Sequence, residues 1–331
     1  MAASAKSYPG AVECRVAALL LCVASVSAIA ADYPNRPIRL VVPFAAGGNA
    51  DIVGRVIARK LTERLGQNVV VDNRVSAGSI VGTDLVAKAP PDGYTLLLIA
   101  LSHATNPAFV AGLPYDILKD FAAISLVAST PLMMMTYPGF PPKTVKELIT
   151  LAKARPGQIN YSSSGNGSSQ NLAGELFKLM AGVDILHVPY KATVQSTADV
   201  MGGQIQLTYS TFTFALPQVK SGKLRGLAMT AALRSSLAPE IPTVAETLPG
   251  YEMGQWNGIM APADTPPMII ARLNKDVVAA MKSPDVIERY GGLGGEPRTS
   301  TPDELAQYIK SEMAKWTKVA QAQKIRVDLT R

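Results

Sequence analysis

The chain has 331 residues, of which 32 are Lys or Arg, 25 are Asp or Glu and 48% are hydrophobic. A charged fraction of only 17% and a mean hydropathy of +0.17 exclude a disordered or highly solvated chain. The length suggests two domains. The net charge of +7 leaves nucleic acid, a membrane surface and a small anion open as partners.

The first thirty residues have the organisation of a secretory signal peptide. Lys6 and Arg15 precede an apolar run over residues 16–24, which is too short to span a bilayer and leads to the sequence Ala-Ile-Ala at 28–30. We expect residues 1–30 to be cleaved on export; the alternative is an uncleaved membrane anchor.

Both cysteines of the chain, Cys14 and Cys22, lie in this leader. The exported product would therefore be free of cysteine, which excludes disulfides, thiolate metal sites and a cysteine nucleophile.

The following hundred residues alternate between strand and helix patterns. Short apolar runs at 38–42, 69–71 and 94–99 predict buried strands, and residues 51–65 carry their apolar side chains at helical spacing. This β-α-β-α-β order favours a mostly parallel sheet covered by helices.

The rest of the chain repeats this pattern. Capping boxes at 144–147 and 301–304 predict helix starts, the first helix ending before Pro156. The remaining predictions are a strand ending at Tyr161, a helix through 172–180, strands at 205–209 and 224–230, and crossovers between two lobes at 124–136 and 251–261.

Catalytic and metal-binding motifs are missing from the sequence. His103 and His187 are the only histidines and do not have metal-ligand spacing, so we expect no metal and no cofactor. No Gly-x-Ser-x-Gly elbow or Gly-Lys-Ser/Thr phosphate loop occurs. His187 is more typical of a packing residue at a strand end.

Loops rich in small residues follow several of the predicted strands. The two long ones cover 43–51 and 161–169, and shorter ones cover 76–79 and 102–106. Where a strand leads into a helix, free N–H groups and the positive end of the helix dipole favour a carboxylate. The alternative is that these loops are ordinary turns and caps.

In their order along the chain, the motifs around these loops resemble the Bug-type periplasmic receptors of tripartite tricarboxylate transporters. The resemblance covers essentially the whole exported chain. Its motifs are YPNRPI at 33–38, PFAAGG at 43–48 with Asp51, DNR at 72–74, AKA at 87–89, PDGYTL at 91–96, YSSSG at 161–165, HVPYK at 187–191, GGQ at 202–204, PTVAE at 242–246 and PGY at 249–251.

The resemblance implies an α/β, two-lobed periplasmic binding protein fold of type II-like architecture, with the ligand in the cleft between the lobes. Lobe 1 would comprise residues 31–131 and 252–331, and lobe 2 residues 132–251. It also implies a set of ligand-binding positions: Phe44, Ala46, Gly47, Gly48, Asp51, Gly78, Ser79, Ser102, His103, Ser163, Ser164, Gly165, Ser168, Lys191, Ala192, Thr193 and Tyr209.

Asp51 in this set, and Trp256 outside it, have a structural alternative. Asp51 could serve only as an acid favoured by the helix start, and Trp256, considered with Tyr209 as a cover for the cleft, could equally be a core residue. The family often has His in place of Asn171, so a particular ligand cannot be transferred. Neutral polar groups such as Gln170, Gln195 and Asn257 fit the pocket instead.

The sequence therefore predicts a monomeric, non-catalytic receptor that captures a small carboxylate and delivers it to membrane permease subunits. No stripe of basic residues with interleaved aromatics is present, which argues against nucleic acid. Two alternatives remain, an exported enzyme acting on a small acid through Ser164 or His103, and a ligand sensor for a signalling partner.

Overall fold

The computed structural model describes residues 33–165, 167–190, 193–235, 238–292, 294–323 and 327–328. The predicted leader, residues 1–30, lies outside this part of the chain. The strands are β1 (Ile38–Val42), β2 (Val69–Asn73), β3 (Thr95–Ala100), β4 (Val110–Ala111), β5 (Phe121–Thr136), β6 (Asn160–Ser163), β7 (Leu186–Pro189), β8 (Leu207–Thr211), β9 (Arg225–Met229), β10 (Gly254–Pro262), β11 (Glu296–Pro297) and β12 (Val327–Asp328). The helices are α1 (Asn49–Leu65), α2 (Ile80–Ala87), α3 (Leu101–Phe109), α4 (Val145–Ala154), α5 (Ser169–Ala181), α6 (Thr193–Met201), α7 (Phe212–Lys220), α8 (Pro267–Met281), α9 (Pro284–Gly292) and α10 (Pro302–Gln323).

The first half of the molecule is a sheet with helices on both faces. Strands β2, β1 and β3 are parallel neighbours, and β10 and then β5 continue the sheet in antiparallel pairs. Leu40 and Leu98 pack beneath α1, α8 and α9, whereas Val41 and Leu97 pack toward α2, α3 and α10. Alternate residues along each strand therefore fill two separate apolar layers.

The second half repeats this architecture. Strands β7, β6 and β8 are parallel, and β5 pairs in antiparallel fashion with both β8 and β9. Met133 and Met135 of β5 contact the layer formed with α6 and α7, and Leu132 and Met134 contact the layer that includes α4 and α5. The fold is the two-lobed α/β architecture that the sequence predicts.

A single long strand, β5, belongs to both sheets. It pairs with β10 from Phe121 to Pro131 and with β8 and β9 from Leu132 to Thr136. At the change of partner, the buried Thr230 hydroxyl accepts from Leu132 N–H at 2.8 Å, and the Met253 N–H donates to Thr230 O at 2.9 Å. The predicted crossover segments 124–136 and 251–261 thus largely coincide with β5 and β10.

Several predicted local boundaries differ from the structure. Residues 102–106, predicted as a loop, form most of helix α3, because Leu101 and Ala104 are buried in the layer shared with α10. Tertiary packing outweighs the weak helix propensity of the Ser, His, Thr and Asn side chains there. Tyr161 lies inside β6 rather than at its end.

The predicted capping boxes are nearly correct. At Thr301 both reciprocal bonds with Glu304 are present, at 2.8 and 3.2 Å. At Thr144 the hydroxyl accepts from Glu147 N–H, but the Glu147 carboxylate bonds the N–H of Lys143 instead. Within the described part of the chain, no helix is long and apolar enough to cross a membrane.

The contact between α5 and β6 allows no side chain at Gly174. A Cβ added there would lie 2.2 Å from Cε2 of Tyr161, whose ring is fully buried. We expect Gly174→Ala to lower the free energy of unfolding by about 3 kcal/mol through overpacking, measured by urea denaturation. Gly291→Ala in α9, where a Cβ meets nothing within 4 Å, is the matched control and should stabilise slightly. Similar effects of both substitutions would contradict this prediction.

Candidate functional site

A cleft of about 420 Å³ opens between the two sheets, beside the crossing strand β10. Four segments border it. They are the loop after β1 with the start of α1, the start of α3, the start of α5, and strand β10 on the opposite side. The lining residues are Phe44, Ala45, Gly48, Asn49, Ala50, Ala100, Leu101, Ser102, Thr105, Gly167, Ser169, Leu172, Gln255, Trp256 and Asn257.

Helix α1 presents uncapped N–H groups to this cleft. Its N-cap is Gly48, and no side chain among the described residues caps the first turn. Gly47 has a φ of +80°, a conformation that favours glycine, and turns the chain into the helix. The N–H groups of Asn49 and Ala50 are thus left for a ligand or water.

Asp51 supports this helix start from behind. Its carboxylate accepts from Gly47 N–H at 2.8 Å, from Asn73 Nδ2 at 2.9 Å and from Arg55 Nε at 2.9 Å, and the residue is 2% exposed. Burial alone would raise the pKa of this carboxyl, but the bonds from Arg55, Gly47 and Asn73 hold it below the usual value. Asp51 does not line the cleft. Its contacts are those of a residue that supports the helix start, which is the alternative to direct ligand binding.

Loss of these bonds should destabilise the loop. We expect Asp51→Ala to lower the free energy of unfolding by about 3 kcal/mol, because three donors lose a charged acceptor. Asp51→Asn retains an oxygen for Gly47 and should lose less than half as much. Urea denaturation measures both, and an alanine variant within about 1 kcal/mol of wild type would contradict the role of Asp51.

The start of α5 in the second lobe is built in the same way. The Gly167 N–H donates to Asn171 Oδ1 at 3.0 Å, just as Gly47 bonds Asp51, four residues later in both cases. Ser168 caps the helix by accepting from Asn171 N–H at 3.3 Å, and its hydroxyl donates to Gly165 O at 2.7 Å. The side chain that accepts from the glycine N–H is therefore a neutral amide in lobe 2, Asn171, and a carboxylate in lobe 1, Asp51.

Helix α3 contributes the third helix start and begins directly at the end of β3. Its N-cap is Ala100, which has no side chain that could cap the helix. Ser102 lines the cleft, and its hydroxyl lies 3.2 Å from that of Ser79. Asn106 Nδ2 donates to Gly78 O at 2.7 Å. Gly78 and Ser79 thus support the Ser102 wall without lining the cleft themselves.

His103 is fully buried beneath this wall. Its Nδ1 lies 3.1 Å from the backbone N and 3.2 Å from the backbone O of Ala100, so this nitrogen pairs with the Ala100 backbone in either tautomer. Nε2 is 3.0 Å from Thr83 Oγ1, whose hydroxyl donates to Ser79 O at 2.7 Å. Burial lowers the pKa of His103 to about 4, so the ring is neutral at physiological pH. This histidine connects α3 to the loop at 76–79 and is not exposed to a ligand.

The predicted lobe-2 residues also mostly stand behind the cleft. Ser163 Oγ lies 2.6 Å from Nε2 of His187 and accepts from Gly165 N–H at 3.0 Å. Ser164 Oγ donates to Gln170 Oε1 at 2.9 Å, and Gln170 Nε2 donates to Thr193 at 3.2 Å. These contacts fix residues 163–165, and Gly167 and Ser169, which follow in the chain, line the cleft.

Two aromatic candidates differ in position. Tyr209 is fully buried against Tyr161, so it does not cover the cleft. Trp256 borders the cleft but is 2% exposed, and its Nε1 donates to Glu312 on α10 at 3.4 Å. Trp256 is therefore a core residue whose edge forms part of the cleft floor.

Of the predicted ligand-binding residues, Phe44, Gly48 and Ser102 line the described cleft. Ala46, Gly47, Asp51, Gly165 and Ser168 are adjacent to it in sequence, and Lys191 and Ala192 lie outside the described residues. Sequence reasoning missed Asn49, Ser169 and Gln255. Asn49 and Ser169 lie within the predicted loops at 43–51 and 161–169, which was a usable signal, and Gln255 lies on a segment interpreted only as a crossover.

The cleft is neutral in its side chains. No Asp, Glu, Lys, Arg or His is among the lining residues that the structure describes. In the described ranges, no group of three or more His, Cys, Asp or Glu side chains is placed to hold a metal ion. Positive potential at the cleft therefore comes from the backbone at the starts of α1, α3 and α5.

Two sheets joined by a shared strand, with a neutral cleft between them at helix starts, define a two-lobed solute-binding protein. A family model for the tripartite tricarboxylate transporter family receptor matches residues 53–325, and the chain belongs to this family. It is thus a periplasmic binding receptor and not an enzyme.

Individual relatives cover nearly the whole chain. BugT of Bordetella pertussis is 37% identical over 309 residues, which span 92% of this chain and 95% of BugT. An R. palustris protein solved with adipate is 36% identical, with a TM-score of 0.70, over 90% of this chain and 100% of that one. A Polaromonas solute-binding protein solved without ligand has a TM-score of 0.81 at 25% identity, over 88% of this chain and 99% of that one.

Proposed function

We propose that this protein captures a small organic acid by its carboxylate in the cleft and releases it to a membrane permease of the tripartite tricarboxylate type. The observation that carries the proposal is the convergence of three helix starts, α1, α3 and α5, on a cleft with neutral described side chains. A cation would meet three positive helix ends there and no acidic side chain among the described lining residues.

Backbone donors are sufficient to hold such an acid. One helix end stabilises an anion by ~0.3–1 kcal/mol, and by up to ~2 kcal/mol when partly buried. Hydrogen bonds to a charged group contribute roughly 1.5–3 kcal/mol each. Several of them from Asn49, Ala50 and Ser102 would give micromolar binding without an arginine. The adipate complex of a 36% identical relative supports an organic acid as ligand.

Binding is proposed to close the cleft by rotation about the shared strand. The boundary between lobe 1 (31–131 and 252–331) and lobe 2 (132–251) would fall where β5 changes partners, between Pro131 and Leu132. A ligand that contacts both lobes shifts such an equilibrium toward the closed form.

We further propose that residues 1–30 direct export and are removed, and that the mature receptor acts as a monomer. Its membrane partner would contact the closed form. Edman sequencing of the secreted protein tests the cleavage, and light scattering tests the monomer. A start at residue 31 or 32 is expected.

Calorimetry against a panel of acids tests the ligand class. The panel should contain aliphatic dicarboxylates, aromatic acids, hydroxy acids and amino acids, each paired with its methyl ester. We expect at least one free acid to bind and its esters not to bind, because the ester removes the charge that the helix starts stabilise. Absence of binding across the panel, or equal binding of acid and ester, would overturn the proposal.

A further inference from the structure

The cleft has a second wall that differs from the helix starts. Strand β10 contributes Gln255 and Asn257, two amide side chains that each carry one acceptor oxygen. Helix starts offer only donors, whereas an amide oxygen can only accept. A ligand that fills the cleft must therefore satisfy both kinds of group.

The orientation of the Asn257 amide is fixed by its surroundings. Nδ2 donates to Ile99 O at 3.2 Å, and since a carbonyl can only accept, the nitrogen must face Ile99. No donor among the described residues bonds Oδ1. Asn257 lines the cleft although the residue is 98% buried.

Gln255 is not constrained in this way. Its Nε2 lies 3.4 Å from Ser169 Oγ, and a hydroxyl can either donate or accept. The Gln255 amide can turn to suit a ligand, but the Asn257 amide cannot. Cleft closure would remove water from Asn257 Oδ1, and an unpaired buried acceptor is unfavourable unless the ligand supplies a donor.

We propose that Asn257 is a specificity-determining residue that selects carboxylates with a neutral hydrogen-bond donor, a hydroxyl or an amide N–H, over the same acids without one. This inference rests on the proposed function. The donor is neutral because an ammonium group would find no acidic side chain among the described lining residues. Asn257 pairs with Ala100, the N-cap of α3, so the donor lies within a few bonds of the carboxylate.

Matched pairs of acids test this selection by calorimetry. The pairs are propanoate and lactate, butanoate and 3-hydroxybutanoate, succinate and malate, and benzoate and 3-hydroxybenzoate. In the pair that binds, we expect the hydroxylated acid to bind at least tenfold more tightly, which is about 1.4 kcal/mol. Asn257→Leu and the smaller Asn257→Ala, which both remove the acceptor oxygen, should lose this preference by weakening only the hydroxylated acid.

Asn274→Leu is the matched control variant. Asn274 Nδ2 also donates to strand and loop carbonyls, Ile124 O at 2.7 Å and Ser300 O at 2.8 Å, but the residue does not line the cleft. Its replacement should leave the preference of the wild type intact. Equal binding within the pair, or an unchanged preference in folded Asn257 variants, overturns this inference and leaves the proposed function standing. Absence of binding by any acid overturns both.

Discussion

Replacement of Asn49 by Asp should weaken binding of a carboxylate ligand at least a hundredfold without lowering the stability of the fold. Asn49 is the first residue of α1 and lines the cleft, and its side chain has no hydrogen-bond partner among the described residues. Two like charges about 4 Å apart repel by roughly 4 kcal/mol at an effective dielectric constant of about 20. A hundredfold loss, about 2.7 kcal/mol, is therefore a conservative expectation.

The same substitution is favourable for the helix itself. An acidic side chain in the first turn interacts well with the helix dipole, so the thermal midpoint should stay constant or rise slightly. Loss of binding in this variant can then be assigned to the ligand and not to unfolding.

Asn68→Asp provides the matched control. Asn68 is exposed and follows the opposite end of α1, so the variant has the same net charge and the same chemical change away from the cleft. Calorimetry with the best binder of the panel should give wild-type affinity for this control. Equal weakening in both variants would show that only the overall field matters, and no weakening in either would place the ligand elsewhere.

The fold was largely predictable because its apolar pattern is local. The spacing of Val53, Ile57 and Leu61 along 51–65 predicted α1, which in the structure begins only two residues earlier, at Asn49. The short apolar runs for β1 and β3 were equally clear. Helix α3 was missed because its polar residues form a helix only through burial of Leu101 and Ala104 against α10, which is distant in sequence.

The site was predictable only at the level of loops. The glycine-rich sequence at 43–48 identified the start of α1, but it could not show that Gly47 N–H is bonded to Asp51 while the residues after Gly48 face the cleft. Which side of a loop faces a ligand depends on the packing of the second lobe. Asn257 was predicted among the neutral polar groups of the pocket, and it lines the cleft. Gln255 on the same strand was missed, because nothing local marks a crossing strand as part of a pocket.

His103 illustrates a functional candidate that the structure places in a supporting role. A histidine near a helix start has the chemistry for binding a ligand. In His103, however, Nδ1 is hydrogen-bonded to the Ala100 backbone and Nε2 to Thr83. His103 therefore helps to hold Ser79 and the start of α3 in place. The start of α3 carries Ser102, which lines the cleft. This role makes a different prediction from direct ligand contact, namely a dependence of stability on pH.

Lowering the pH from 7 to 5 should reduce the free energy of unfolding by about 2 kcal/mol through His103 alone. Burial lowers the pKa of the folded ring to about 4, below the value of 6.5 expected in the unfolded chain. Between these values the unfolded state binds more protons than the folded state, so stability falls as the pH drops from 6.5 toward 4.

Urea denaturation at pH 7 and pH 5 of wild type, His103→Gln and His187→Gln separates the contributions of the two histidines. Burial also lowers the pKa of His187, but this ring is only half buried, so its effect should be smaller. We expect His103→Gln to be less stable at pH 7 and to lose much less stability on acidification than wild type. Identical pH dependence of wild type and His103→Gln would contradict the neutral, doubly bonded ring, because these are the only two histidines in the chain.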